Sequence, residues 1–439
     1  MNRENTEASI ESKKGFRRIK NKVASSQAVR FLFKNMMSLV GTLFLTFIGA
    51  KINKDGYEKR ILVVFGGGIG DVIKRSIICG YFKEYLKGYD LYYLMPYPLD
   101  LPYAKESIFF DYTRVKMNPR YYADTVNRLR RIGFSKVIVA FPFWDGLLSF
   151  LGGDVVPEQL FCHKEAPPHP FYGVVSEISY LLKYPSLRKR MRFIRVVSGW
   201  DKAWTSERLP SDVLKHAYFI SHVIAAIKGG PALDKNGLLP LADPHTEVVI
   251  DGDMERDFME ELRKEYGLDA GSYCVIGLGS STIQRNWPVE KFVEVAKFLG
   301  ARGIKIVISE HMKDKDLAER FMAGYPDALD LTGKTDIRHA MILIKHARLL
   351  VANDTSFTHA AVALHVPNVC VIGNKGLGAD SLYGYESINK WAFEDPGSEV
   401  PVAAVKPETV IETCREILDR KHDGAKEAEK FQFEYGSGL

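Results

Sequence analysis

At 439 residues the chain is long enough for two or three domains, each with its own core. Hydrophobic residues at 46% and charged residues at 26% are ordinary globular values. The net charge is +6, yet residues 1–60 hold 13 Lys and Arg against 5 Asp and Glu, which leaves the rest of the chain slightly acidic. Basic character confined to one terminus argues against a general nucleic-acid binder, whose cations spread over the folded face.

Residues 13–34 are basic and amphipathic (Lys13, Lys14, Arg17, Arg18, Lys20, Lys22, Arg30, Lys34) and lead into an apolar run at 35–50. That run is shorter than the about 20 residues a spanning helix needs. It suits a helix lying in an anionic membrane surface, with a buried accessory helix as the alternative. A spanning helix would keep the preceding cations in the cytosol and place the body outside. The segment is a poor cleavable signal, since it starts late and no small-residue cleavage site follows. The five cysteines (Cys79, Cys162, Cys274, Cys370, Cys414) are far apart, with no CxxC or other metal spacing. They read as free thiols of a reducing, cytoplasmic setting, buried at Cys79, Cys274 and Cys370, which sit in apolar runs.

The body opens with an unbroken apolar strand at Ile61–Phe65, a glycine loop at Gly66–Gly70 and a helix opened by Asp71. Strands are predicted at Asp90–Met95 and Lys136–Ala140, with a helix over Tyr121–Ile132 between them. This alternation predicts a parallel, doubly wound α/β sheet. Residues 151–215 are irregular, with Pro157, Pro167, Pro168, Pro170 and a basic run at 187–192. Such insertions often serve binding. A helix at Pro210–Lys228 precedes a Gly/Pro/Asp-rich linker at 229–244. A second series follows: strand Glu247–Ile250, helix Asp253–Tyr266, strand Ser272–Leu278, helix Pro288–Ala301 and strand Ile304–Ser309. Helix Leu317–Met322, strand Ala328–Leu331 and helix Ile337–His346 continue it. Strand, turn, helix and strand then run through Ala347–Gly373, and a last helix covers Pro407–Leu418. The expected division is a membrane-associating segment at 1–58, α/β domains at 59–235 and 245–400 with a cleft between them, and a helix with polar tail at 401–439.

Four stretches carry candidate chemistry. Gly66-Gly67-Gly68-Ile69-Gly70-Asp71 is not a dinucleotide fingerprint, because the third glycine position falls on Asp71. Gly67, Gly68 and Gly70 permit close approach of a ligand. Asp71 is either a helix cap or a general base. In Gly279–Pro288, Ser280, Ser281 and Arg285 follow a strand end, and arginine suits phosphate, with a solvated surface arginine as the plain alternative. Glu310 and Asp314 follow the next strand, where carboxylates hold ribose hydroxyls or simply cap and solvate. The turn Asn353–His359 places Asp354, Thr355, Ser356 and His359 where a parallel strand meets a helix N-terminus, a natural seat for an anion. Capping by Asp354 and a core role for His359 are the alternatives. The triplets Asp251-Gly-Asp253 and Asp314-Lys-Asp316 lie at helix starts, where acids are favoured by the dipole. No metal role is expected for either triplet, and no zinc constellation is visible.

RILVVFGGGIGDVI, GSSTIQRNWPVEKFVEVAKFL and LDLTGKTDIRHAMILIKHARLLVANDTSFTHAAVALHVPNVCVIG, in that order, resemble glycosyltransferase family 9, the heptosyltransferases and relatives of lipopolysaccharide assembly. The resemblance covers residues 60–150 and 210–380. It implies a glycosyltransferase B-type fold of two Rossmann-like domains, an acceptor domain first and a nucleotide-sugar domain second. It implies inverting transfer without a metal or other cofactor, from a donor such as ADP-heptose to a lipid-linked glycan. It makes Asp71 the general base, Arg285 the diphosphate contact, Ser280 and Ser281 the hydroxyls after the strand, and Asp354, Thr355 and His359 the donor turn. The implied setting is the cytoplasmic face of an inner membrane. Three departures bear on donor identity: Ser356 stands for the family's glycine, Arg285 for lysine, and Glu310–Asp314 for a Gly-rich segment. Two other readings fit the architecture. A nucleotide-sugar epimerase would change its sugar without an acceptor. A non-catalytic, membrane-bound glycan-binding protein would turn nothing over.

Overall fold

The structure, a computed structural model, describes Val40, Leu45 and residues 48–142, 151, 153–164, 191–195, 212–230, 232–234, 237–241, 245–280, 285–373, 389–392 and 401–419. Residues 13–39 of the N-terminal segment, most of the apolar run after them, Ser281 and the tail from residue 420 lie outside that set. Among the described residues no helix is long and apolar enough to cross a membrane.

The elements run in chain order as β1 (Arg60–Val64), α1 (Ile69–Arg75), α2 (Ile77–Tyr85), β2 (Asp90–Met95), β3 (Glu106–Phe109), α3 (Tyr112–Met117), α4 (Pro119–Ile132), β4 (Lys136–Pro142), β5 (Gln159–Lys164) and β6 (Met191–Arg195). Then come α5 (Asp212–Lys228), α6 (Gly252–Tyr266), β7 (Tyr273–Gly277), α7 (Val289–Ala301), β8 (Lys305–Ile308), α8 (Lys315–Gly324), β9 (Leu329–Asp330) and α9 (Ile337–Lys345). The chain continues through β10 (Leu349–Asn353), α10 (Ser356–Ala363), β11 (Asn368–Val371), β12 (Asn389–Ala392) and α11 (Pro407–Leu418).

Strand order in the first sheet is β3-β2-β1-β4-β5-β6, and in the second β12-β11-β10-β7-β8-β9. The strands of the two sheets, from β3 to β5 and from β12 to β9, pair in parallel, as at Val63 with Ile138 and Val351 with Ile276. Counted from its own first strand, each sheet has the order 3-2-1-4-5-6 of a Rossmann fold. The direction of winding reverses between β1 and β4, and again between β7 and β10. Ligands bind outside the carboxyl ends of strands at such switch points. The loops after β1, β7 and β10, which carry most of the candidate residues, therefore lie where this topology places a site.

The chain divides into two compact units, residues 1–64 with 110–194 and residues 65–109 with 195–439. In the first, Ile61, Leu62, Val63, Val137 and Ile138 are fully buried, as strands covered on both faces must be. Here α4 starts on Asn118, whose side chain accepts the Tyr121 N–H, with Pro119 at its first position. In the second unit, Ile276, Ile306 and Val351 of the sheet pack with Phe292, Val295 and Leu299 of α7 and Val410 and Cys414 of α11. Trp287 is 1% exposed and stands edge-on to Phe292, with ring centroids 4.8 Å apart. Its indole N–H donates to the Val405 carbonyl at 2.9 Å. All five cysteines are buried free thiols.

Asp251 caps α6, accepting from the Asp253 and Met254 N–H groups, and Asp253 pairs with Arg256. Two readings are corrected. Residues Glu247–Ile250 form no strand; Val249 makes a single antiparallel bridge with Asp100. Residues 151–215 contain β5 and β6. Strands β3, β6 and β12 escape a sequence reading because they are short sheet edges that lack the continuous apolar run of a central strand.

Trp287→Ala removes a buried aromatic and one of two donors to the Val405 carbonyl, leaving only Lys291 Nζ at 2.7 Å. Denaturant unfolding of this variant is expected to show a loss of about 3–5 kcal/mol.

Candidate active site

The first element of the site follows from the glycines after β1. Gly67 has a φ of 91°, a region closed to most side chains. Asp71 proves to be the third residue of α1 rather than its cap; the capping position is Gly68, whose N–H donates to Asp71 Oδ2 at 2.9 Å. On the same helix face, Lys74 Nζ lies 3.5 Å from Asp71 Oδ1. Burial alone would raise the Asp71 pKa, but Arg75, Lys74, the Gly68 N–H and His359 outweigh it and hold the carboxyl below its ordinary value. Asp71 is therefore a carboxylate at neutral pH.

The second element is the end of β10. Asn353 is completely buried. Its amide donates to the Leu278 carbonyl at 2.7 Å and accepts the Trp287 N–H at 2.9 Å. Its own carbonyl accepts the Thr358 hydroxyl at 2.9 Å. Thr355 caps α10 through its hydroxyl, and Ser356 is the first helical residue. Ser356 has no positive φ, so serine here carries no backbone strain. Arg285 Nη1 lies 3.2 Å from Asp354 Oδ2, with Arg285 54% exposed and Asp354 12%.

His359, one turn into α10, packs against Gly70 so closely that a β-carbon on Gly70 would lie 2.6 Å from the imidazole Cδ2. Burial, Lys74 and Arg285 push its pKa down to about 4 against the opposing pull of Asp354 and Asp71. The ring is neutral at pH 7.

The third element follows β8. Glu310 is buried and accepts the Leu278 N–H at 2.5 Å and the Gly279 N–H at 3.3 Å. Burial raises its pKa to about 7, with Asp314 adding to the rise and the two N–H groups and Lys313 opposing it. A β-carbon on Gly279 would lie 2.9 Å from Asp314 Cγ and 3.0 Å from Glu310 Oε2. Only glycine lets the carboxylates close on this strand end.

These elements line one cavity of about 790 Å³ within the second compact unit. It brings together Gly68, Gly70, Asp71, Ser280, Arg285, Glu310, Asp314, Asp354, Thr355, Ser356 and His359. Gly67 does not line it and serves the turn. Ser281 lies outside the described residues. The cavity also shows what sequence reading missed: Lys74, Tyr97, Lys313, Thr335, Asp336 and Met341. Lys74 was within reach, since three residues along a helix returns to the same face as Asp71. Tyr97 and Met341 carry no local signal. Among the described residues no group of three or more His, Cys, Asp or Glu side chains is placed to hold a metal ion.

The profile of glycosyltransferase family 9 (heptosyltransferase) matches residues 241–387, the segment that supplies Arg285, Glu310 and Asp354. Lipopolysaccharide heptosyltransferase 1 of Pseudomonas aeruginosa is 26% identical over 233 residues, 52% of this chain and 61% of that protein. Across its curated relatives the chain spans 36% to 61% of their length. The crystal structure of a family 9 glycosyl transferase from Veillonella parvula superposes with a TM-score of 0.62 at 17% identity, over 84% of this chain and 99% of that one. E. coli ADP-heptose lps heptosyltransferase II gives a TM-score of 0.57 at 17% identity, over 82% and 98%. The fold is thus that of the two-sheet, parallel α/β glycosyltransferases. Residues 241–387 are thus similar to glycosyltransferase family 9, and the curated relatives they match are heptosyltransferases.

Glu310 binds its proton more tightly when folded than when unfolded, so its contribution to stability falls as pH rises from about 4.5 towards 7. Thermal melts of wild type and Glu310→Gln across that range should show wild type losing stability relative to the variant as pH rises. Asn353→Ala strands the Leu278 carbonyl and the Trp287 N–H, at a cost of about 1–3 kcal/mol for each buried group. Denaturant unfolding measures the sum.

Proposed function

We propose that the protein is an inverting, metal-independent glycosyltransferase, moving a heptose or related sugar from a nucleotide-sugar donor to a lipopolysaccharide or other surface-glycan acceptor. The observation that carries this reading is the convergence on one cavity of an ionised carboxylate, Asp71, with an arginine and a helix N-terminus. The acceptor hydroxyl gives its proton to Asp71 as its oxygen attacks the anomeric carbon. The bond from that carbon to the diphosphate breaks on the opposite face, and its electron pair leaves with the nucleoside diphosphate. Backside attack of this kind inverts the anomeric centre.

The leaving diphosphate needs cationic and N–H partners where its charge develops. Arg285 supplies a planar fork suited to phosphate, and the start of α10 at Ser356–Phe357 supplies N–H groups and the positive end of the helix dipole. These stand in for the divalent ion that other transferases use. Glu310 and Asp314 face the cavity at the β8 end, where they suit ribose hydroxyls. ADP-heptose is the first donor to test, because the similar E. coli structure carries that name. Residues 59–235 supply the acceptor side and residues 245–400 the donor side. The basic and apolar segment at 13–50 holds the enzyme on the cytoplasmic face of the inner membrane, beside a lipid-linked acceptor.

Purified protein is expected to melt at a higher temperature with its cognate nucleotide sugar in a panel of ADP-, GDP-, UDP- and dTDP-sugars. Transfer should invert the anomeric configuration, as read by NMR, and persist in EDTA. If no nucleotide sugar binds, the reading fails. Asp71→Asn should lower kcat by about 10²–10⁴-fold while leaving the donor-induced thermal shift in place. Arg285→Ala should weaken donor binding by about 1.5–3 kcal/mol, the worth of a hydrogen bond to a charged group.

A further inference from the structure

We propose that Lys74 is the positioning residue of the transfer step, holding the Oδ1 edge of Asp71 towards the cavity; this rests on the reading of Asp71 as the base. The two carboxylate oxygens of Asp71 have different surroundings. Oδ2 accepts the Gly68 N–H at 2.9 Å, which ties it to the backbone at the start of α1. Oδ1 has the Lys74 ammonium at 3.5 Å, one helical turn further on. That separation is a charge contact at the outer limit of a hydrogen bond, so a lone pair on Oδ1 stays available to an acceptor hydroxyl.

Lysine side chains ordinarily carry their ammonium out to water. Lys74 is only 14% exposed, whereas Asp71 is 42% exposed and opens into the cavity. The lysine is thus committed to the cavity wall. Its neighbours have other direct partners. Arg75, 6% exposed and not a lining residue, donates to the Gly66 carbonyl at 2.9 Å and adds its positive field to Asp71 from behind the loop. Arg285 pairs with Asp354, and Lys313 lies 3.8 Å from Asp314. His359, from α10, faces Asp71 as a neutral ring, and Tyr97, from the loop after β2, faces it as a phenol held protonated by burial and by the Asp71 charge itself. Among the described lysines and arginines lining the cavity, Lys74 is the one in contact with Asp71.

The sign of the effect follows. A cation beside a carboxylate favours the charged form, so its removal makes Asp71 take a proton at higher pH. The test is the pH profile of kcat/KM for Lys74→Met and Lys74→Arg, alongside the carboxyl titration of Asp71 followed by NMR on the same full-length proteins, with Lys74→Gln held as a second neutral variant. In Lys74→Met the acid limb and the NMR midpoint both move to higher pH, the plateau rate falls roughly tenfold and donor affinity stays within about threefold. Lys74→Arg brings both midpoints back. A midpoint unmoved in the neutral variants, or one that arginine does not restore, overturns the proposal. A midpoint that moves in an enzyme whose Asp71→Asn variant still transfers at full rate supports the contact and sinks the assignment of the base instead.

Discussion

Everything the site does depends on one buried amide. Asn353 ends β10 with no exposure to water, and a buried amide must find partners for both its ends. It donates to the carbonyl of Leu278, beyond β7, and accepts the N–H of Trp287, ahead of α7. Its own carbonyl holds the Thr358 hydroxyl of α10. Aspartate at this position would offer only acceptors when ionised and could not serve the Leu278 carbonyl. The side chain therefore fixes the spacing of the loops after β7 and β10, the two strands between which the second sheet reverses. Arg285, Ser280 and Asp354 are near neighbours of the residues so fixed.

The charges on the cavity wall follow a consistent logic. Arg285 is paired with Asp354, but more than half of its side chain is exposed. An ion pair of that kind is worth at most about 1 kcal/mol. It orders the guanidinium on the cavity wall without holding it tightly, and under the proposed function a diphosphate offering two oxygens would be the stronger partner. His359 is treated differently. It is pressed against Gly70 and kept neutral, so it joins α10 to α1 by packing rather than by charge. The helix whose N-terminus lines the cavity is thereby held to the helix that carries Asp71.

Some of this was legible along the chain. Central strands such as Ile61–Val64 and Leu349–Ala352 are apolar throughout because both faces are covered, and that run is visible without a structure. The polar turn at 353–359 stands out because it interrupts such a run. Edge strands β3, β6 and β12 were not legible, since their pairing on one side alone leaves no continuous apolar signature. The sequence pattern puts Asp71 at the opening of its helix, whereas it sits at the third position, an offset that glycine hides by capping without a side chain.

The sequence by itself determined the alternation of strand and helix, the placing of polar loops at strand ends and the family those loops resemble, because these are local patterns of period and composition. Only the tertiary structure decided that Asp71, Lys74 and Tyr97 share a wall with Arg285, Glu310 and His359. It also decided that Glu310 is buried at a strand end with its pKa near 7. Ser356 belongs to the same division. The sequence marks it as a departure from glycine, and the fold shows a first helical residue with an ordinary backbone. The physical reason is common to all three. Spacing along a chain sets which face a residue occupies, whereas burial, field and close approach depend on elements that are hundreds of residues apart in sequence and adjacent in space.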